Sequence, residues 1–285
     1  MRIAACVRRV LDPDAPVRLS PDGSLDTVGA ARLMDPVDAA ALELAVQVAE
    51  EASGDVVAFT LTENEEDAEE ALRTALAQGA TGAVHIGGFE AESALEAGEE
   101  LARAIGEEGH FDLVVTGWAS SDQGGGGTAA VIAARLGWPV IQGLNGVPRI
   151  SGGAAVAERR RDAGFRETVR VQLPAVVSVY RGAEPRFPTT PARLRARRAE
   201  IRRLPAGGNT DTSRRPADER LRMPPPRLSG ILVPLPGMDA RDRLRFLVAG
   251  GQARSSASRI VRGSSEGAAA LAQFVRERDL LRPEA

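Results

Sequence analysis

Four consecutive glycines, Gly124, Gly125, Gly126 and Gly127, stand between the polar run 120–123 and Thr128. Glycine has no Cβ, so this backbone can come within hydrogen-bonding reach of a ligand. The residues before it, Phe111–Gly117, read as a buried strand, and those after it, Ala129–Leu136, as a small-residue helix. A helix start offers unpaired N–H donors and the positive end of a dipole. Strand, glycine loop and helix in this order make a phosphate cradle at the carboxyl end of a strand, where open α/β sheets bind ligands. A glycine loop that binds nothing is the competing reading. Asp122 in the loop either caps the next helix or touches a ribose. Trp118, beside the loop, and Trp138 read as packing residues.

Few other residues offer chemistry. Arg8 and Arg9 follow the first strand and either meet phosphates or solvate the strand end. Cys6 is the only cysteine and has no C-x-x-C neighbour, so it reads as a packed, inert thiol. The two histidines, His85 and His110, fall on different elements without metal-ligand spacing, and His85 reads as a core or edge residue. No Ser-His-Asp or Cys-His set and no metal-ligand cluster emerges, so no catalytic residue and no metal ligand is assigned.

The elements that would position the loop alternate. Met1–Val7, Asp55–Leu61, Ala83–Ile86 and Asp112–Val115 are apolar strands. Helices fall between them. One opens at Asp35-Pro36 and runs to about Ala52, one starts in the acidic stretch Glu63–Glu70 and ends at Gly79, and one spans about 91–107. Strands recurring with helices between them predict an α/β fold with a parallel sheet covered on both faces, a three-layer nucleotide-binding domain. Val17–Val28 reads as a small hairpin turning at Pro21-Asp-Gly23. From Pro139 the pattern becomes β-rich: Arg149–Ala157 and Phe165–Leu173 read as antiparallel strands and Ala175–Tyr180 as a further β run. Residues 1–190 are therefore expected to form the nucleotide-binding domain. Residues 191–285 are expected to form a basic linker and a partner-docking arm. In it, Arg193–Arg203 is helical or extended, 205–227 is a Pro/Gly-rich linker, and Ser265–Leu280 is a closing amphipathic helix.

Composition bounds the function. The 285 residues are 43% hydrophobic and contain no lysine. Residues 1–150 carry 9 Arg against 25 Asp and Glu, whereas 151–285 carry 27 Arg against 14. Such a split marks an interaction region. The arginines come with few aromatics and no nucleic-acid module, so an acidic protein partner is expected and no nucleic acid. No run approaches 18 apolar residues, and the chain opens directly into a strand. The expectation is a cytoplasmic protein with neither membrane insertion nor secretion signal.

Seven ordered segments carry a family resemblance. Val7–Pro13 resembles V-K-R-V-x-D. Met34-Asp-Pro36 and Leu42–Ala45 resemble M-N-P and the following E-x-A. Leu72–Ala80 resembles R-T-A-L-A-M-G-A, and Leu136–Pro139 is L-G-W-P. Leu173–Val177 and Glu184–Arg186 resemble L-P-A-V-V and N-E-P-R. From residue 1 to about 200 the chain resembles the electron transfer flavoprotein β subunit. The later residues match only at Arg259–Gly263 and the closing helix. The resemblance implies an adenine nucleotide α-hydrolase-like core and a heterodimer with an α subunit that holds most of the FAD. The β subunit would hold AMP, or a second FAD in electron-bifurcating relatives. The pair would be an electron carrier, not a bond-making enzyme, linking dehydrogenases to a respiratory, quinone-linked acceptor. The cofactor-binding residues it implies are the Cys6 backbone, then Asp35, Pro36, Val37 and Asp38, with Val37 where the family has an aromatic near the flavin. Glu63 follows at the next strand end, and Gly117, Asp122, Gln123, Gly124, Gly125, Gly126, Gly127 and Thr128 wrap the phosphate.

Departures accompany the resemblance. The D-x-x-x-N-Q-T-G loop loses both amides. Asp35 replaces Asn and sets a negative charge where a nucleotide would sit. Asn64-Glu65 replaces the G-P that opens the next helix. In the docking loop, Phe187–Pro191, Thr190 stands where the family carries leucine, which implies a different redox partner. These features resemble a divergent type such as those accompanying mycofactocin systems. The competing class is a stand-alone adenine-nucleotide module of sensor or transferase type.

Overall fold

The computed structural model describes residues 1–12, 14–15, 29–91, 93–122, 124–161, 165–181, 183–207, 238–248 and 263–277. The chain divides into two compact units, Met1–Leu221 and Arg222–Ala285. The first contains the sheet. Its strands are β1 (Arg2–Cys6), β4 (Asp55–Leu61), β5 (Gly82–Gly87), β6 (Leu113–Gly117), β7 (Val140–Asn145), β8 (Arg149–Ser151), β9 (Ala154–Arg160), β10 (Arg166–Gln172), β11 (Ala175–Arg181) and β12 (Arg202–Pro205). The order is β10-β9-β7-β11-β6-β1-β4-β5-β12, with β8 paired to β9. Every neighbouring pair from β7 to β12 is parallel, and the β8–β10 end is antiparallel. A separate ribbon pairs β2 (Arg9–Leu11) with β3 (Arg32–Met34).

The strands are apolar on both faces because both are covered. Ile3 and Ala5 of β1, Val56 and Ala58 of β4, and Leu113 and Val115 of β6 pack with α1 (Pro36–Glu51) and α2 (Glu65–Ala77). The alternating residues Ala4, Cys6, Val57, Phe59 and Val114 pack with α3 (Ala94–Glu108) and α4 (Thr128–Leu136). This period of two is the strand pleat, and it yields the three layers expected from the sequence. Phe59 and Phe111, both 0% exposed, meet edge to face at 5.7 Å. Each fully buried side chain of this size contributes about 1.5–3 kcal/mol.

Helix starts follow local capping chemistry. Asp35 accepts from Val37 N–H ahead of Pro36, Asn64 accepts from the N–H groups of Glu66 and Asp67, and Ser93 accepts from Glu96 N–H. At the start of α4 stands Gly127, with no side-chain cap. α3 and α4 approach closely because Gly98 is bare: a Cβ there would lie 2.5 Å from the Val131 Cβ.

The carboxyl-terminal part of this unit differs from the sequence expectation. The expected β-rich edge is β8–β10, whereas β11, read from the sequence as a further β run, lies inside the parallel sheet between β6 and β7. β7 itself is absent from the sequence reading, because Gln142 and Gly143 interrupt its apolar run. Arg149–Ala157 is not one strand: it turns at Gly152-Gly153 into β8 and β9. The basic tract becomes α5 (Thr190–Arg198) and β12, both built into the first unit. α5 packs on α2, where Arg73 donates to the carbonyls of Ala196 and Ala199. β12 extends the sheet beside β5, with Arg103 donating to the Pro205 carbonyl at 2.8 Å.

In the second unit, α6 (Ala240–Val248) was not anticipated, and α7 (Ser264–Glu277) matches the expected closing helix. The Val17–Val28 hairpin, Gln123 and residues 208–227 of the expected linker lie outside the described residues. Among the described residues no helix is long and apolar enough to cross a membrane.

Candidate functional site

A cleft of about 130 Å³ opens where β1, β4 and β6 end. Cys6, Val7 and Arg8 form one wall, and Asp35 and Asp38 from the start of α1 form the next. Gly117, Ala119, Ser120, Gly125 and Thr128 close the side facing the glycine loop. Opposite them, Glu90, Ser93, Ala94 and Ala97 belong to the β5–α3 connection and the first turn of α3, while Phe59, Leu61 and Leu101 supply apolar surface. The starts of three helices, α1, α3 and α4, therefore face one cleft, with a polar end and an apolar end.

Two carboxylates brace the polar end. Asp35 is 1% exposed. Its oxygens accept from Val37 N–H (3.0 Å), Ser121 N–H (2.9 Å) and Ser121 Oγ–H (2.7 Å). It thus caps α1 and ties the glycine loop to it, so the charge raised as an obstacle to a nucleotide is taken up within the chain. Asp38 links two strand ends, accepting from Arg8 N–H (3.1 Å) and Gly117 N–H (3.2 Å). Gly117 must lack a side chain here, since a Cβ would lie 2.5 Å from Asp38 Oδ1. The loop then folds on itself, Ser120 N–H donating to Gly125 O (3.2 Å) and Gly124 N–H to Ser120 O (2.9 Å).

Burial pushes the Asp38 carboxyl up to about 7; the charge of Asp35 adds to this, and Arg8 with the two N–H donors opposes it. Burial, with Asp38 adding, also pushes the Cys6 thiol far above its ordinary range. Between pH 3.8, the ordinary value, and about 7 the folded chain retains a proton on Asp38 that the unfolded chain has released. Stability linked to Asp38 therefore falls as pH rises through that window and is level above it. Asp38→Asn should flatten this decline in thermal midpoints measured from pH 4.5 to 8. An Asn variant with the wild-type slope would assign the proton elsewhere.

Of the residues expected to bind cofactor, the cleft wall contains Cys6, Asp35, Asp38, Gly117, Gly125 and Thr128. Gly124, Gly126 and Gly127 shape the loop behind it, and Asp122 pairs with Arg8 across it. Pro36 is exposed in the first turn of α1, and Val37 lies beside Gly117, where a Cβ would sit 3.2 Å from Val37 Cγ1. Glu63 is exposed outside the wall, its N–H donating to Glu90 at 3.2 Å. Arg8 and Arg9 separate: Arg8 lines the cleft, whereas Arg9 is held by Asp67 (2.9 Å) and the Arg32 carbonyl (2.7 Å). His85 is buried with Nε2 3.0 Å from the Thr62 carbonyl, a satisfied histidine. Trp118 is not buried packing: it is 45% exposed and meets Tyr180 edge to face at 5.2 Å. The β5–α3 wall escaped sequence reasoning, although Ser93-x-x-Glu96 is a capping signature that marks where α3 begins.

The family model described as the electron transfer flavoprotein domain matches residues 22–207. The chain belongs to the electron transfer flavoprotein β subunit family. Electron transfer flavoprotein subunit beta of Mycobacterium tuberculosis is 37% identical over 186 residues, covering 63% of this chain and 69% of that protein. The mouse and human proteins of the same name are 32% and 30% identical over 241 and 240 residues, each covering 82% of this chain and 92% of the relative. In this member of the family, the cleft lies at the carboxyl ends of parallel strands, beside the glycine loop.

Proposed function

We propose that this chain is the β-type subunit of an electron transfer flavoprotein, holding an adenine nucleotide in the cleft and seating an FAD-bearing α subunit. One observation carries the reading: the cleft is walled on one side by a bare glycine loop and an uncapped helix start. Residues Gly125–Thr128 would hold a phosphate through backbone N–H groups. The apolar end, where half-buried Leu61 reaches the surface over buried Phe59 and Leu101, would take the base. AMP fits these donors, and so does the AMP half of an FAD. The flavin supplies the redox chemistry when bound, and this chain supplies position and exclusion of water.

The pair would pass electrons from dehydrogenases to a quinone-linked acceptor, in the cytoplasm. Two exposed surfaces fit docking. Phe187, in the docking loop, is 87% exposed, with the Arg193 guanidinium 5.0 Å from its ring centre. Arginines beside exposed apolar residues suit an acidic partner. In the second unit Leu244, Leu247, Leu271 and Phe274 are about half exposed or more, as expected of an arm that wraps a companion subunit.

The test is mass spectrometry of a native pull-down of the full chain. Co-elution with a yellow flavoprotein, and release on denaturation of AMP or FAD from this subunit, is the expected result. A chain that elutes alone and releases no nucleotide overturns the reading.

A further inference from the structure

Arg8 is the only basic side chain lining the cleft among the described residues. One arm of its guanidinium, Nη2, pairs with Asp122 on the glycine loop. Its Nε is buried and has no hydrogen-bond partner among the described residues. Buried N–H donors are ordinarily satisfied, and an orphan in a ligand cleft points to an acceptor from outside the chain. The nearby carboxylates are committed elsewhere. Asp35 holds Ser121 and caps α1, Asp38 holds the backbone of Arg8 and Gly117, and Glu90 accepts from Thr62 and Glu63 on the far lip. Ser120, Gly125 and Thr128 share the cleft with Arg8, so a phosphate cradled by the loop would come under the same guanidinium. A guanidinium fork presents parallel N–H donors that match phosphate oxygens, a geometry no other side chain lining this cleft provides.

We propose that Arg8 is the phosphate anchor of the cleft, held in reserve by Asp122, so that ligand entry exchanges an ion pair within the chain for one with the ligand. This rests on the nucleotide reading given above. The exchange makes Asp122 a competitor: its carboxylate weakens the binding of any phosphorylated ligand and is indifferent to a nucleoside. Arg8 therefore discriminates between AMP and adenosine, and Asp122 sets how steeply.

The test is titration calorimetry of the ligand-stripped full chain with AMP and with adenosine. Arg8→Gln should weaken AMP by at least about thirtyfold and leave adenosine unchanged. Asp122→Asn should tighten AMP by about three- to tenfold, again without effect on adenosine. Wild-type AMP affinity in Arg8→Gln, or equal losses of AMP and adenosine, overturns the anchor. Unchanged AMP affinity in Asp122→Asn overturns the exchange. A wild-type chain that binds neither AMP nor adenosine removes the nucleotide reading itself, an outcome distinct from the variant failures.

Discussion

Replacing Arg186 by alanine should lower stability by about 2–4 kcal/mol, a fall of about 5–15 °C in the thermal midpoint for a unit of this size. Glu43, on α1, is 4% exposed and faces Arg186 through three contacts: the backbone N–H at 3.1 Å, Nε at 2.8 Å and Nη2 at 3.0 Å. The same guanidinium reaches Glu50 through Nη1 at 2.6 Å. Burial alone would raise the Glu43 pKa, but the hydrogen bonds from Arg186 and Gln47 outweigh it and hold the carboxyl below its ordinary value. Removing the guanidinium leaves a buried carboxylate with few donors, and that desolvation is the cost. The outer end of the pair reaches solvent, so the lower part of the buried-pair range applies. Glu50 is mostly exposed, and Glu50→Ala should cost under about 1 kcal/mol. The Glu43 contribution is present above pH 4.5 and is lost as pH falls through the lowered pKa. Matching midpoints for wild type and Arg186→Ala would show that Glu43 finds other partners. Arg186 also leads directly into residues 187–191, so this anchor fixes where exposed Phe187 emerges.

What the sequence made legible was local. Val56-Val-Ala-Phe59 and Leu113-Val-Val115 are short, unbroken apolar runs rich in valine, the pattern of a strand buried on both faces. Asp35-Pro36 is a helix start that could be read letter by letter. The position of β11 could not be read that way. Its apolar run establishes burial on both faces, but insertion between β6 and β7 depends on pairing across long sequence separations. β7 hid behind Gln142 and Gly143, whose alternation carries no strand signal. The same limit applied to the cleft. Its glycine side is one contiguous segment and was visible, whereas Leu61 looks like core until the sheet brings its strand end beside β1. Asp35 is the clearest case of context reversing a residue's meaning. As a letter it is a repelling charge, and in the fold it is the tie between α1 and Ser121.

With AMP in the cleft as proposed, Gly117→Ala should reduce its affinity at least about a hundredfold while costing only about 1–3 kcal/mol of stability. The added Cβ would sit 2.5 Å from Asp38 Oδ1 and 3.4 Å from the Asp38 backbone nitrogen. Asp38 cannot simply retreat, since its oxygens accept the N–H groups of Arg8 and Gly117. Relief must come from opening the joint between β1 and β6, and that joint carries the guanidinium on one side and the glycine loop on the other. Binding should therefore suffer far more than folding. Gly106→Ala is the control: it lies on α3, a Cβ there meets nothing within 4 Å, and AMP affinity should be unchanged. Wild-type AMP affinity in Gly117→Ala would detach the Asp38 clamp from the ligand geometry. A double-mutant cycle separates clash from chemistry. Asp38→Ala in the Gly117→Ala background removes the colliding carboxylate and should recover part of the lost stability. It should not recover AMP binding, because Arg8 and the loop then lose the brace that aligns them.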